Sequence, residues 1–172
     1  TRPDRKEHYM DELRDVAVRN GRPEDHETVI SVIPGWWDGR DLSSMVLKVF
    51  FVHFRNTTYI AAIDGELVGF LVGFMSQSEE HVGYIHFAGV HPAHRKSGIG
   101  RLLYERFYEA CRAQNRSVVK SCTSPVNRLS IDFHLRMGFG MEPGDGMIDG
   151  VPVMLNYLGK DNPKVRFIKN VS

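Results

Sequence analysis

Apolar residues change their spacing several times along the chain, and each change predicts a different element. Val16, Ala17 and Val18 form a short run closed by Asn20-Gly21, which reads as a first strand ended by a turn. Pro23 with Glu24, Asp25 and Glu27 suits the first turn of a helix, where negative charge meets the positive helix end. That helix is predicted to reach Ile33 and to stop before Pro34-Gly35, since proline disfavours helical backbone in the residue before it. Leu42, Met45, Val46, Val49 and Phe50 recur at helical spacing and predict a second helix from Asp41 to Phe54. The centre is strand-like. Thr58–Ile63 and Glu66–Met75 flank Asp64-Gly65, a two-residue hairpin signature, and Val82–Val90 is a further strand. Leu67 to Phe74 is apolar without alternation, as in a strand covered on both faces.

Helical spacing returns from Gly98 to Gln114, with Ile99, Leu102, Leu103, Phe107, Ala110 and Cys111 on one face. A strand over Ser117–Cys122 follows, then a helix that Ser124-Pro125 would cap and Gly138 would end. Two last strands are expected at Phe139–Glu142 and Val151–Tyr157, joined by Pro143–Gly150. Lys164 to Lys169 alternates and predicts one more strand, at a sheet edge or a dimer contact. Residues 1–13 read as an N-terminal extension with Tyr9, Met10 and Leu13 on one side of a short helix, and 14–172 as one domain. The layout is α+β: an antiparallel centre and one strand-helix-strand crossover.

Composition narrows the class. The chain has 172 residues, 42% hydrophobic and 25% charged, which suits a globular protein with a substantial core. No apolar run approaches the ~20 residues a membrane span requires, and no signal-peptide pattern opens the chain. Cys111 and Cys122 form neither a disulfide framework nor a metal cluster, so a cytoplasmic setting is the expectation. A formal net charge of +1 argues against a nucleic-acid partner. His81, His86, His91 and His94 crowd together but fit no usual zinc spacing, so no metal is expected and solvated or hydrogen-bonded roles are favoured.

The stretch that carries chemistry runs from Tyr84 to Leu103. An apolar strand stops at His91-Pro92, a polar loop follows, and Gly98 and Gly100 open an amphipathic helix. The first amides of a helix lack internal acceptors, and the helix dipole adds positive charge there. Glycines allow a diphosphate to come close to the backbone, and Arg95, Lys96 and Arg101 add cationic charge at the same point. The G-x-x-x-x-G-K-[ST] loop is absent, and Leu103 replaces the third glycine of a dinucleotide fingerprint. What remains is R-x-x-G-x-G from Arg95 to Gly100.

This motif resembles the acetyl-CoA-binding loop of the GNAT-type N-acetyltransferases. A second stretch, Asn127 to Phe139, resembles that family's other motif, an Asn opening a helix that ends in Gly-Phe. The resemblance spans Val16 to Tyr157. It implies the GNAT acyl-CoA N-acyltransferase fold, a mixed and mostly antiparallel central sheet with helices on both faces. It implies that backbone groups of Ala88, Gly89 and Val90 pair with the pantetheine arm and steady an oxyanion. Backbone donors of Arg95, Lys96, Ser97, Gly98, Ile99, Gly100 and Arg101 would hold the pyrophosphate, and Asn127 would lie near the cofactor arm.

The implied reaction is transfer of acetyl from acetyl-CoA to an amine, small or protein-borne, by direct attack. An alkylamine of pKa ~10.4 is neutral in only about one molecule in a few thousand at pH 7, so a proton acceptor is required. Where family members often carry Glu, this chain has Tyr84, with His86 on the same strand face. The base is therefore His86 or a water chain. Where the family often has Tyr near the departing sulfur, this chain has His134, a candidate acid. Trp36, Trp37 and Asp38 join the first two helices and would border the acceptor; the alternative is that both indoles pack under the sheet. Asp38, Arg40, Asp145 and Asp149 would then select the acceptor, the acidic ones suiting a cationic amine, or are solvated loop residues. The family commonly dimerises, so a homodimer is compatible. The rival reading is a CoA-binding sensor or scaffold that has lost turnover, which the two departures favour.

Overall fold

A computed structural model describes residues 13–172. The predicted helix of the N-terminal extension lies outside the described residues, apart from Leu13. Among the described residues, seven strands form one sheet in the order β1-β2-β3-β4-β5-β9-β6, and β7 and β8 form a separate pair. Their ranges are β1 Val16–Asn20, β2 Thr58–Ile63, β3 Glu66–Met75, β4 Val82–Val90, β5 Val118–Thr123, β6 Gly140–Met141, β7 Gly146–Ile148, β8 Val151–Val153 and β9 Val165–Asn170. The helices are α1 Asp25–Trp36, α2 Lys48–His53, α3 Ile99–Ala113 and α4 Arg128–Arg136. No helix among the described residues is long and apolar enough to cross a membrane.

The chain divides into two compact units, with β4 and α3 each contributing to both. Among the described residues, the first holds 13–74 and Phe87–Ala110. There β1, β2 and β3 pair antiparallel, with a register shift between Ala61 and Ala62. Its core gathers Val29, Ile33 and Trp36 from α1, Phe50 and Phe51 from α2, and Ile60, Phe70 and Val72 from the sheet. Gly69 lets α3 come close. A Cβ there would stand 3.0 Å from Ile99 Cγ2 and 3.1 Å from Leu103 Cδ1.

The second unit holds Met75–His86 and Cys111–Ser172. Here β4 runs parallel to β5 over Val82–Ile85 and Val118–Ser121, while β9 pairs antiparallel with both β5 and β6. Ile131 and His134 of α4 are buried with Phe139, Val165 and Phe167. Gly138, at φ 86°, ends α4 in the left-handed conformation that glycine adopts without penalty. Lys169 adds a cap from another element, its ammonium donating to the Met137 carbonyl.

Five expectations need correction. Helix α1 runs through Pro34 to Trp36, because Val29, Ile33 and Trp36 recur on one face and are all buried. The predicted Asp41–Phe54 helix is a 3₁₀ turn at Ser43–Met45 and a separate α2. Leu47 is extended between them, at φ −82° and ψ 146°, and the Val46 carbonyl bonds His26 Nε2 at 2.8 Å instead of a helical amide. The cap of α4 is Asn127, not Ser124: its side chain accepts from the Ser130 amide at 3.2 Å. The C-terminal strand is no edge. β9 lies between β5 and β6, and the predicted Val151–Tyr157 strand shrinks to β8, paired with β7.

Candidate functional site

The loop between β4 and α3 takes its shape from its backbone. Lys96 at φ 65° and Gly98 at φ 94° are both left-handed, an arrangement of the kind that builds anion-binding nests. Ser97, 4% exposed, fixes the turn by donating its hydroxyl to the His94 carbonyl. The helical ladder of α3 opens with the Leu102 amide donating to Gly98 O at 2.9 Å, so the amides of Ile99, Gly100 and Arg101 belong to the first turn, which has no internal acceptor. No side chain fits easily at Gly98: its φ is unfavourable, and a Cβ would lie 3.1 Å from Leu13 Cδ1. Lys96 and Arg101 are exposed at this end. The donor set is cationic, backbone-rich and open at a helix N-terminus, which fits a diphosphate.

Upstream, β4 runs on to Val90, although its parallel register with β5 ends at the Ile85–Ser121 pair. Ala88, Gly89 and Val90 thus lie beyond that pairing, while the His91 amide still donates to Val68 O of β3 at 2.8 Å. Gly89 has a packing reason as well. A Cβ there would stand 2.4 Å from Cη2 of Trp37.

The second motif sits in the other unit and is built differently. Asn127 spends its carbonyl oxygen as the cap of α4. His134 is 3% exposed, stacks on Phe167 with ring centroids 4.3 Å apart, and bonds the Ser130 carbonyl through Nδ1 at 2.7 Å. Burial pushes its pKa down to about 4, with the bond to Ser130 acting in the opposite sense.

A family model described as the acetyltransferase (GNAT) family matches residues 11–139. The chain belongs to the GNAT acetyltransferase family. Among curated proteins it is 27% identical over 89 residues to the L-2,4-diaminobutyric acid acetyltransferase of Nocardia farcinica (strain IFM 10152), covering 52% of this chain and 46% of that one. The match thus spans about half the length of that relative. Among solved structures, Ard1 from Thermoplasma volcanium superposes with a TM-score of 0.72 at 21% identity, covering 92% of this chain and 99% of that one. The diaminobutyrate acetyltransferase EctA from Paenibacillus lautus, solved with L-2,4-diaminobutyric acid and coenzyme A, gives 0.63 at 20%, covering 88% and 93%. The protein yncA from Salmonella typhimurium, solved with its cofactor acetyl-CoA, gives 0.63 at 16%, covering 92% and 95%. The GNAT fold is thereby shown, and acetyl-CoA is the cosubstrate of the family.

Within this GNAT chain, the first unit brings Trp36, Trp37, Gly89 and Arg95 together. Trp36 is buried against Phe70, with His91 edge-on at 5.5 Å. Trp37 is half-buried against Phe87 at 5.0 Å, and Asp38 is exposed in a left-handed turn at φ 53°. Among the four histidines, His91 accepts the Ala93 amide at Nδ1, 3.1 Å away. No group of three or more His, Cys, Asp or Glu among the described residues is placed to hold a metal ion.

In the second unit Tyr84 donates its hydroxyl to Cys122 Sγ at 3.3 Å, and His86 is half-buried farther along β4. Burial, with Cys122 and Tyr157 beside it, raises the phenol far above its ordinary range. Burial also raises Cys122. Of the candidate acidic residues, Asp145 caps the Leu155 amide at 2.7 Å and Asp149 pairs with Arg128 at 3.8 Å. Sequence reasoning missed Cys122 as the partner of Tyr84, and the signal was thin. Only the β4–β5 register, with Tyr84 opposite Lys120, brings Cys122 to the same sheet face.

Proposed function

We propose that this chain is an N-acetyltransferase that transfers the acetyl group of acetyl-CoA to a primary amine by direct attack. The observation that supports it most is the Lys96–Gly98 turn leading into α3, where two left-handed residues precede three first-turn amides. Those donors, with Arg101 and Lys96, would hold the diphosphate, and the backbone of Ala88, Gly89 and Val90 would hold the pantetheine. Acetyl-CoA would supply a thioester carbonyl ready for attack by a neutral amine. An amide of that β4 stretch would steady the oxyanion. Trp37 and Asp38 are the proposed acceptor-side residues, Asp38 supplying negative charge toward a cationic amine.

Tyr84 is not the base in this reading. A phenol held above its ordinary range stays protonated at neutral pH and can only donate. The proton of the amine goes to His86 or to water. His134, neutral and stacked in the core, serves structure first, and a catalytic part for it is the weaker reading. The protein is proposed to work in the cytoplasm, without nucleic acid.

The relative that acts on L-2,4-diaminobutyric acid makes small diamino acids the first acceptors to test. The experiment is acetyl-CoA consumption across diamino acids, polyamines, amino sugars and peptide amines. Turnover on one class supports the transferase. CoA binding with no turnover on any acceptor instead supports the sensor, a reading favoured by the protonated phenol at the position where Glu is common.

A further inference from the structure

We infer that Arg95 is a positioning residue that ties the phosphate loop to the Trp36–Trp37 corner, and that coenzyme A occupancy is thereby transmitted to that corner. The inference rests on the acetyl-CoA reading. The residue type suggests a phosphate-binding cation, but the side chain is engaged elsewhere. Arg95 Nη2 donates to the Trp36 carbonyl at 2.5 Å, and Nε donates to the Val90 carbonyl at 3.4 Å. Trp36 is the last residue of α1, where carbonyls lack helical donors and the dipole is negative, so a guanidinium suits it. One planar side chain therefore joins the end of β4, the loop and the end of α1.

Two further contacts tighten the joint. The His91 ring lies edge-on to Trp36, and Trp37 occupies the space a side chain at Gly89 would need. Lys96, the next residue, is already left-handed. A loop drawn onto a diphosphate cannot carry Arg95 along without moving Trp36 and Trp37. A lysine cannot replace this, because one ammonium lacks the fixed fork that meets two carbonyls on different segments. The chain contains two tryptophans, both at this joint, so tryptophan emission, excited beyond the absorption of its six tyrosines, reports on the corner alone.

The test titrates coenzyme A into the wild type, Arg95→Lys and Arg95→Gln. Tryptophan emission and calorimetry are followed in parallel, then KM and kcat with whichever amine turns over. In the wild type, binding is expected to shift the emission. In Arg95→Lys, affinity should fall by no more than about tenfold, while the emission shift is lost and KM for the amine rises several-fold at nearly unchanged kcat. A full emission response and wild-type KM in Arg95→Lys would overturn the inference, as would calorimetric binding to the wild type with silent emission. Should Arg95→Lys not fold, the same readouts on Arg95→Gln decide. Wild-type protein that shows no calorimetric binding at millimolar coenzyme A would instead overturn the acetyl-CoA reading itself.

Discussion

The two family motifs of this chain solve opposite problems. At the β4–α3 loop the backbone is presented and the side chains are drawn aside: Arg95 reaches back to Trp36, Ser97 folds under, and Gly98 has none. At α4 the side chains are absorbed inward. Asn127 caps its own helix, and His134 lies flat on Phe167 with its Nδ1 bonded one turn back. An anion can be held by amides whatever the side chains do, whereas an imidazole in the core acts first as a packing piece. A polar residue inside a motif is thus weaker evidence for chemistry than a shaped stretch of backbone.

The sharpest way to break this contrast is at the glycines. Gly98→Glu and Gly100→Glu should each weaken coenzyme A binding by roughly 100-fold or more, about 3 kcal/mol, as read by calorimetry. A carboxylate would compete for the same amides, and at Gly98 the left-handed backbone adds strain. Unchanged affinity in both would mean that the loop is not the diphosphate site.

His134→Ala should cost about 3 kcal/mol in a denaturant titration, the scale of removing a buried ring. His134→Phe keeps the stack and should leave turnover close to wild type. A large loss of kcat at unchanged cofactor affinity would restore the acid role.

Acidification tests the same ring. Between its unfolded value of 6.5 and about 4, the unfolded chain binds a proton that the folded chain refuses. Stability is therefore whole above that window and falls as pH drops through it, by up to about 1.4 kcal/mol per pH unit. His134→Phe should flatten the slope in thermal melts from pH 7 to 4.

Gly89→Ala should displace Trp37 and cost about 1–2 kcal/mol, with a change in tryptophan emission that reports the displacement directly. The smallest effect is expected for Tyr84→Phe, which deletes the bond to Cys122 at about 1 kcal/mol. Its pH-rate profile should keep the basic limb of the wild type, since a phenol that stays protonated does not shape it.

Much of this arrangement was legible in the residues. The central strands follow from a hairpin signature and a continuous apolar run, α3 from helical spacing, and the loop from paired glycines after an apolar strand. These signals are local: the period of the backbone and the steric freedom of glycine act over a few residues and need no partner. Where a local rule failed, a distant contact had outweighed it. Pro34 stays in α1 because Trp36, two residues on, is buried in the core, and the Val46 carbonyl leaves a predicted helix because His26 takes it.

The sequence alone therefore determined most of the element types, the family and the glycine-opened turn that leads into α3, all of which depend on neighbours in the chain. Tertiary structure decided what the individual side chains do. It turned Arg95 toward α1, gave Tyr84 a thiol partner, stacked His134 on Phe167 and set β9 inside the sheet. A side chain's protonation and hydrogen bonds depend on groups brought close by folding, and no spacing along the chain encodes which groups those are.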